Sequence, residues 1–428
     1  MLMPLNSDYS RALAFVHSHF LPPQARPTRT MRRNVILDYL TALEIDRVRF
    51  FPRLIVVTGT NGKGTAVTQI EGAVLAAGVK TISVRSPHCF SVVERVSVDG
   101  QAITQIEFVR VVSAIRDLLE RSELRAMGIT PFEWLFMIAL YLHAERGEDC
   151  VGIYEVGKGG LHDYTNIFQR PIVLLTNIGS DHLAEFGGTK ESLLDEKLGL
   201  CHEGVRLIVD QAPAELLMKI LQTATARNFS TNIVSVDEEK TATGSYGVSK
   251  SSVAEVMDSM GIECGESALS NHRKLPWRMQ FANIGGKNFL LDGAHNPSAI
   301  HTLFEAFKKS GFVPGAAIFC LDSQKQLVES CQIINRQTQL RRVWLTMPSR
   351  GKFHSATTIV SHLLASTIIT KNVREALHLA VQSSFEDIVV FGSFKLAYDF
   401  EYVLNAFNLR HSASPVLLDP VFPWMREI

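Results

Sequence analysis

The most chemically loaded run in the chain is GTNGKGT, Gly59 to Thr65, set between the β-rich run LIVVTG and the helical run AVTQIEGAVLAAG. A glycine-rich turn leading from a strand into a helix lets backbone N–H groups close around a phosphate, and the helix N-terminus adds partial positive charge. Lys63 stands at the offset that reaches terminal phosphates, and Thr65 at the offset that places a hydroxyl on magnesium. Gly59, Thr60, Asn61, Gly62, Lys63, Gly64 and Thr65 are therefore read as a nucleotide cradle. The spacing is not the commonest one, because three residues separate Gly59 from Lys63 and Gly64 stands between Lys63 and Thr65.

Other groups fall where they can work with that loop. Glu155 ends the run CVGIYEV and His182 follows IVLLTNIG, which puts both at the carboxyl edge of a sheet, where α/β folds bind ligands. With Thr65 or Ser86 they can share one cation. Magnesium prefers oxygen ligands, so a histidine in the set makes manganese an alternative. Asp292 ends another strand and His295 lies in the turn Gly-Ala-His-Asn-Pro, a pair suited to hydrogen-bond a ribose or adenine.

These residues need a scaffold, and the hydrophobic pattern supplies one. From Leu54 to Val236 short β-rich runs alternate with amphipathic stretches such as EFVRVVSAIRDLLERSE and TPFEWLFMIALYLHAER, the pattern of a mainly parallel α/β sheet with helices on its faces. The stretch CGESALSNHRKLPWR breaks the rhythm with the charge and proline of an interdomain linker, so residues 1–272 and 273–428 are expected to form two α/β domains. A length of 428 residues agrees, being more than one core usually serves. Apolar residues at 46% and charged residues at 20% exclude a disordered chain. Lys plus Arg equals Asp plus Glu at 43 each, so no net field favours nucleic acid or an anionic membrane. The six cysteines form no CxxC pair, and no run is long and apolar enough to span a bilayer, so a reduced, cytoplasmic protein is expected.

The loop variant resembles that of the Mur ligases and, within them, the folylpolyglutamate synthase/dihydrofolate synthase family. Further segments are similar to it in the same order: SPHCFSVVERVSVDG, ITPFEWL, EVGKGGLHDYTN, TNIGSDHLAEFGGTKESLLDEKLGL, LLDGAHNPSA and FGSFKLA. The resemblance implies a Mur-ligase-like P-loop domain followed by a smaller Rossmann-like C-terminal domain. It implies an ATP-dependent amide ligase that makes an acyl phosphate and lets L-glutamate displace phosphate. The acceptor would be dihydropteroate, a reduced folate, or both. Catalytic roles then fall on Lys63, His182, Lys197 and Arg278, with Arg278 reaching phosphate across the interdomain cleft. Metal roles fall on Thr65, Ser86, Glu155, His182 and Lys197, the last carbamylated and so turned into an anion. Thr130, Phe132 and Glu133 would sit near the pterin. Small-molecule substrates, Mg2+ and a monomeric chain complete the expectation.

The chain departs from the family pattern in several places. GGLHD lacks the usual arginine after the glycines, DSQKQ near Leu321 replaces Asp-Lys-Asp, and LPWR carries tryptophan where glycine is usual. The stretch between Val236 and Ser252 lacks the Gln-Asn pair. These changes bear on the acceptor and amino acid more than on phosphoryl chemistry. A ligase of this fold acting on a non-folate carboxylate is therefore the second reading, and a nucleotide-binding inactive relative the third.

Overall fold

The computed structural model describes residues 7–19, 28–45, 53–121, 129–179, 181, 183–234, 247–270 and 273–407. The apolar runs become strands. The first sheet holds β1 (Leu54–Thr58), β2 (Thr81–Val84), β3 (Val96–Val98), β4 (Gln101–Ala102), β5 (Val151–Glu155), β6 (Ile172–Leu175), β7 (Arg206–Val209) and β8 (Ser230–Ile233), in the order β4-β3-β2-β5-β1-β6-β7-β8. Its six strands from β2 to β8 in that order are parallel; β3 and β4 turn back antiparallel at one edge.

β1 is buried along its length, as a continuous apolar run in the middle of a parallel sheet should be. Ile55 and Val57 face α3 (Lys63–Ala76), while Leu54 and Val56 face the opposite layer. That layer holds α1 (Ser7–Ser18), α2 (Arg29–Ala42), α4 (Gln105–Arg121) and α5 (Pro131–Arg146). α5 is buried almost all round, from Glu133 to Leu140, and starts at a capping box in which Thr130 and Glu133 satisfy each other's backbone N–H groups. α6 (Lys190–Leu198) begins at the N-cap Thr189. α7 (Ala214–Arg227) and α8 (Lys250–Ser259) complete the lobe.

The second sheet has β9 (Gln280–Ile284), β10 (Lys287–Leu291), β11 (Ala316–Phe319), β12 (Arg342–Leu345), β13 (Ser366–Ile369) and β14 (Asp387–Phe391), ordered β13-β12-β11-β14-β10-β9. Only β9 is antiparallel, and it was not among the runs read as strands: its exposure alternates along an edge, with Phe281 58% exposed. Helices α9 (Pro297–Ser310), α10 (Leu327–Asn335), α11 (Ala356–Val360), α12 (Val373–Gln382) and α13 (Lys395–Phe407) cover both faces. The boundary expected at residue 273 falls in the segment between the sheets.

The lobes share packing. Cys89 and Phe90, from the loop after β2, enter the core of the second lobe beside Trp277. All six cysteines are free thiols, and five are buried. Among the described residues no helix is long and apolar enough to cross a membrane.

Candidate active site

The chain leaves β1 toward β2 on one side and β6 toward β7 on the other, so the crevice at the carboxyl ends of β1 and β6 is a topological switch point. The Gly59 to Thr65 loop fills it. Gly59 has φ +140°, and a Cβ there would lie 1.9 Å from Thr176 Oγ1, so only glycine fits. The segment after β6 clamps the loop from beside it. Asn61 N donates to Asn177 Oδ1 at 3.0 Å, and Thr176 Oγ1 donates to the Asn61 carbonyl at 2.7 Å. Gly179 N donates to Thr60 Oγ1 at 2.9 Å. The helix that follows starts at Gly62, φ +80°, with no side chain capping it, so the first N–H groups of α3 stay open to an anion.

Charged groups converge on this loop. Lys63 Nζ donates to the carbonyls of Gly59 and Thr60, both at 3.1 Å, and Lys197 Nζ, from α6, donates to the Gly59 carbonyl at 2.9 Å. Burial lowers the pKa of Lys63, opposed first by the charge of Glu155. Burial, joined by the charge of Lys63, lowers Lys197 to about 7. Glu155 is raised by burial and pulled back first by Lys63; its Oε2 accepts from Ser86 N at 2.5 Å. A Cβ on Gly64 would lie 3.2 Å from Arg278 Nη2, 3.4 Å from Glu155 Oε2 and 3.4 Å from the Ser86 carbonyl, so these groups meet at the start of α3.

Arg278 arrives from the second lobe on a turn flanked by two left-handed residues, Trp277 at φ +56° and Met279 at φ +49°. Trp277 thus keeps the backbone shape glycine would give and buries its indole edge-on to Phe400, 5.6 Å between centroids. Arg278 itself lies over the Phe394 ring at 4.9 Å. Phe394 in turn packs where a Cβ on Gly293 would stand, 2.2 Å from the ring.

A divalent cation fits the donors here. Thr65 Oγ1 is buried with no hydrogen-bond partner among the described residues, and the buried Glu155 carboxylate next to Gly64 gains from a positive neighbour. No three His, Cys, Asp or Glu side chains among the described residues group to hold a metal by themselves. Ser86 presents its backbone carbonyl toward Gly64. His182, expected in the set, lies outside the described residues.

A second cavity of about 460 Å³ joins the first through Ser86, Pro87, Gly157, Lys158 and His295, which line both. Thr130, Phe132 and Glu133 form one wall of it, with Tyr164, Arg29, Arg32 and Arg95. Glu133 is held by Arg32 Nε at 2.9 and 3.0 Å as well as by its own cap, while Arg95 lies over the Phe132 ring at 5.1 Å. The wall is therefore aromatic and rich in guanidinium.

The two second-lobe residues expected to contact ribose or adenine are placed differently. Asp292 does not line either cavity: its Oδ2 accepts from Met279 N at 2.8 Å and its Oδ1 from Ala294 N at 2.7 Å, so the carboxylate fixes the turns that carry Arg278 and His295 rather than facing a ribose. His295 sits on the shared wall, its Nδ1 bonded to the Gly293 carbonyl at 2.7 Å, and burial lowers its pKa to about 4, which keeps the ring neutral. Residues to which the sequence reading gave no role complete the site: Asp181, Asn177, Asn296 and Phe394 at the phosphate loop, and Arg29, Arg32, Arg95, Lys158 and Tyr164 at the second cavity.

No protein-family model matches the chain. Among curated proteins it is 30% identical over 222 residues to the folylpolyglutamate synthase of Lacticaseibacillus casei, covering 50% of each chain. It is 28% identical over 301 residues to the dihydrofolate synthase/folylpolyglutamate synthase of Escherichia coli, covering 64% of this chain and 69% of that one. The alignments span about half the length, or less, of most of these relatives. Among solved structures, the fold is similar to E. coli FolC in complex with DHPP and ADP, at TM-score 0.77 and 22% identity over 94% of this chain and 98% of that one. It is also similar to the bifunctional folylpolyglutamate synthase/dihydrofolate synthase of Yersinia pestis complexed with AMPPNP and Mn ion, at TM-score 0.78 and 24% identity over 94% and 99%. In sequence the chain is similar to folylpolyglutamate synthases and dihydrofolate synthases, and its fold is that of the FolC structures.

Proposed function

We propose that the protein is an ATP-dependent ligase that joins L-glutamate to dihydropteroate, to a reduced folate, or to both, through an acyl phosphate. The observation that carries this reading is the wall shared by the two cavities: a carboxylate held in the aromatic, guanidinium-lined cavity reaches the phosphate loop past Ser86, Gly157 and His295. An aromatic acceptor with a carboxylate tail suits that lining. The two lobes, divided near residue 273, would close on the nucleotide and exclude water, with the chain acting as a cytoplasmic monomer.

In this reading the open N–H groups of α3 and the ammonium of Lys63 take the terminal phosphates, and Arg278 offsets charge that develops on the transferring group. Magnesium or manganese, when bound, polarises the phosphoryl oxygens, and Thr65 and Glu155 would hold it, with His182 as a further ligand. The acceptor carboxylate attacks the γ-phosphorus, the bond from the γ-phosphorus to the bridging oxygen breaks, and ADP leaves an acyl phosphate behind. The neutral amine of glutamate then attacks the acyl carbon, phosphate leaves, and an amide remains. Lys197 has the character needed for carbamylation, because an amine held near pKa 7 is largely unprotonated in mildly alkaline solution and can add carbon dioxide. Intact mass in bicarbonate at mildly alkaline pH tests that step: added carbon dioxide on Lys197 supports it, and a free amine there removes it.

Phosphate release from Mg-ATP with L-glutamate, run in turn with dihydropteroate and tetrahydrofolate, tests the whole proposal. A product heavier by one glutamyl unit supports it and names the acceptor. Turnover with neither pterin, in protein that still binds ATP, favours a non-folate carboxylate, the alternative that GGLHD and DSQKQ leave open.

A further inference from the structure

Lys325 leaves the second lobe and crosses the cleft. Its Nζ bonds both carboxylate oxygens of Asp181, at 3.0 and 2.9 Å, and the two side chains are only 13% and 10% exposed. Asp181 belongs to the first lobe and lines the phosphate cavity. Its Oδ2 also accepts from Asn296 Nδ2 at 3.1 Å, and the same amide nitrogen donates to Asn61 Oδ1 in the phosphate loop at 3.0 Å. Asn296 meanwhile caps α9 by accepting from Ala299 N at 2.8 Å. One hydrogen-bonded network therefore runs from the second lobe through Asp181 and Asn296 into the loop.

The lysine is presented by a fixed turn. Lys325 N donates to the Asp322 carbonyl at 3.0 Å and Gln324 N to Asp322 Oδ1 at 3.1 Å. Lys395 Nζ donates to Asp322 Oδ2 at 2.9 Å, and the Lys325 carbonyl bonds His354 Nε2 at 2.9 Å. Ordering a long lysine costs rotamer entropy, and burying two charges costs hydration. The fixed turn lowers the first cost, and the hydrogen bond from Asn296 offsets part of the second. An exposed lysine pair would contribute little to holding two lobes together, whereas a nearly buried pair is costly to break from one side.

We propose that Asp181 and Lys325 form an interlobe clasp, a positioning pair that holds the second lobe closed over the nucleotide and, through Asn296, holds Asn61 and the phosphate loop in their phosphate-receiving shape. The clasp rests on the nucleotide reading of the cleft and is independent of which acceptor or amino acid is used. Lys325 touches no reacting atom. It acts on the closed-to-open equilibrium, so its loss lowers apparent nucleotide affinity by the fraction of molecules left closed.

The test uses the full chain as wild type, Lys325→Met, which keeps the apolar stem and loses the charge, and Lys325→Arg, which keeps the charge. Calorimetric titration with Mg-ADP, small-angle scattering with and without Mg-ADP, and thermal unfolding are measured on each. The clasp predicts that Lys325→Met weakens Mg-ADP by about tenfold or more, a shift of the closed fraction of that size. It also predicts a larger radius of gyration for Lys325→Met and, because the opened cleft returns Asp181 to water instead of leaving it buried and unpaired, a melting temperature within about 2 °C of wild type. Lys325→Arg should stay within roughly threefold of wild type in affinity, since a guanidinium can still bridge the carboxylate. Equal affinity and equal radius in Lys325→Met overturn the clasp. So does a large drop in melting temperature that Lys325→Arg shares, which marks a purely structural lysine. Absence of Mg-ADP binding in the wild type itself overturns the nucleotide reading along with the clasp, and the titration separates that case from the others.

Discussion

Replacing Trp277 tests how Arg278 is aimed, and the order of two variants carries the information. Trp277 is 1% exposed, packs edge-on to Phe400 and sits in one core with Cys89 and Phe90. Truncating a buried tryptophan to alanine costs about 3–5 kcal/mol. The backbone at φ +56° adds a second effect, since a left-handed conformation costs an L-residue roughly 1–2 kcal/mol that glycine does not carry. Glycine gives back about 0.4–1 kcal/mol through the greater freedom of its unfolded chain. Trp277→Gly should therefore be about 0.5–1 kcal/mol more stable than Trp277→Ala, the reverse of the usual order in regular structure. Hydrogen exchange of the β10 and β14 amides, which open with the second sheet, gives the free energy for that lobe alone. Equal or greater stability of the alanine variant would refute the left-handed turn, and a loss below about 1 kcal/mol in both would refute the packing of the indole. The tryptophan that stands where the resemblance implies glycine is, on this account, a side chain added to a glycine-shaped turn.

Three further outcomes follow from the same geometry. Gly59→Ala drives a Cβ to 1.9 Å from Thr176 Oγ1 and so displaces the hydroxyl from the Asn61 carbonyl; nucleotide affinity should fall by more than about tenfold, and Thr176→Ala in the same chain should recover part of it, as calorimetry with Mg-ADP will show. Lys63→Ala should lower kcat/KM for ATP by roughly 10²–10³-fold in a phosphate-release assay, and near-normal turnover would remove the role given to its ammonium. His143, fully buried between the Tyr154 hydroxyl and the Cys150 carbonyl, is lowered by burial to about 4. Because the folded value lies below the unfolded one, its stabilising contribution is complete above about pH 6.5 and is lost as pH falls toward 4. Wild type should then lose about 2–3 kcal/mol more than His143→Gln between pH 7 and 4.5 in urea unfolding, and parallel pH profiles would contradict the assignment.

The phosphate loop and the central strands were legible because their signals are local: a glycine turn between a strand and a helix, and apolar runs. β9 was missed because an edge strand buried on one face alternates too weakly over five residues. The bonding of Asp292 was not legible for a different reason. Its position at a strand end suggested a ligand contact, but the backbone N–H groups of Met279 and Ala294 that satisfy it come together only in the folded lobe. The clasp was invisible for the same cause: 144 positions separate Asp181 from Lys325, and no local pattern marks either as the other's partner. The departure DSQKQ, read as a replacement of Asp-Lys-Asp, is the turn that carries Lys325.

The central claim is that the acceptor carboxylate is activated by phosphorylation in the cleft between the lobes. Its most direct test is turnover with an acceptor whose carboxylate oxygens are labelled with oxygen-18, followed by mass analysis of the released nucleotide and phosphate. Attack on the γ-phosphorus predicts one labelled oxygen in inorganic phosphate for each amide formed, with ADP unlabelled. Label appearing in AMP, or amide formed with unlabelled phosphate, would contradict the account.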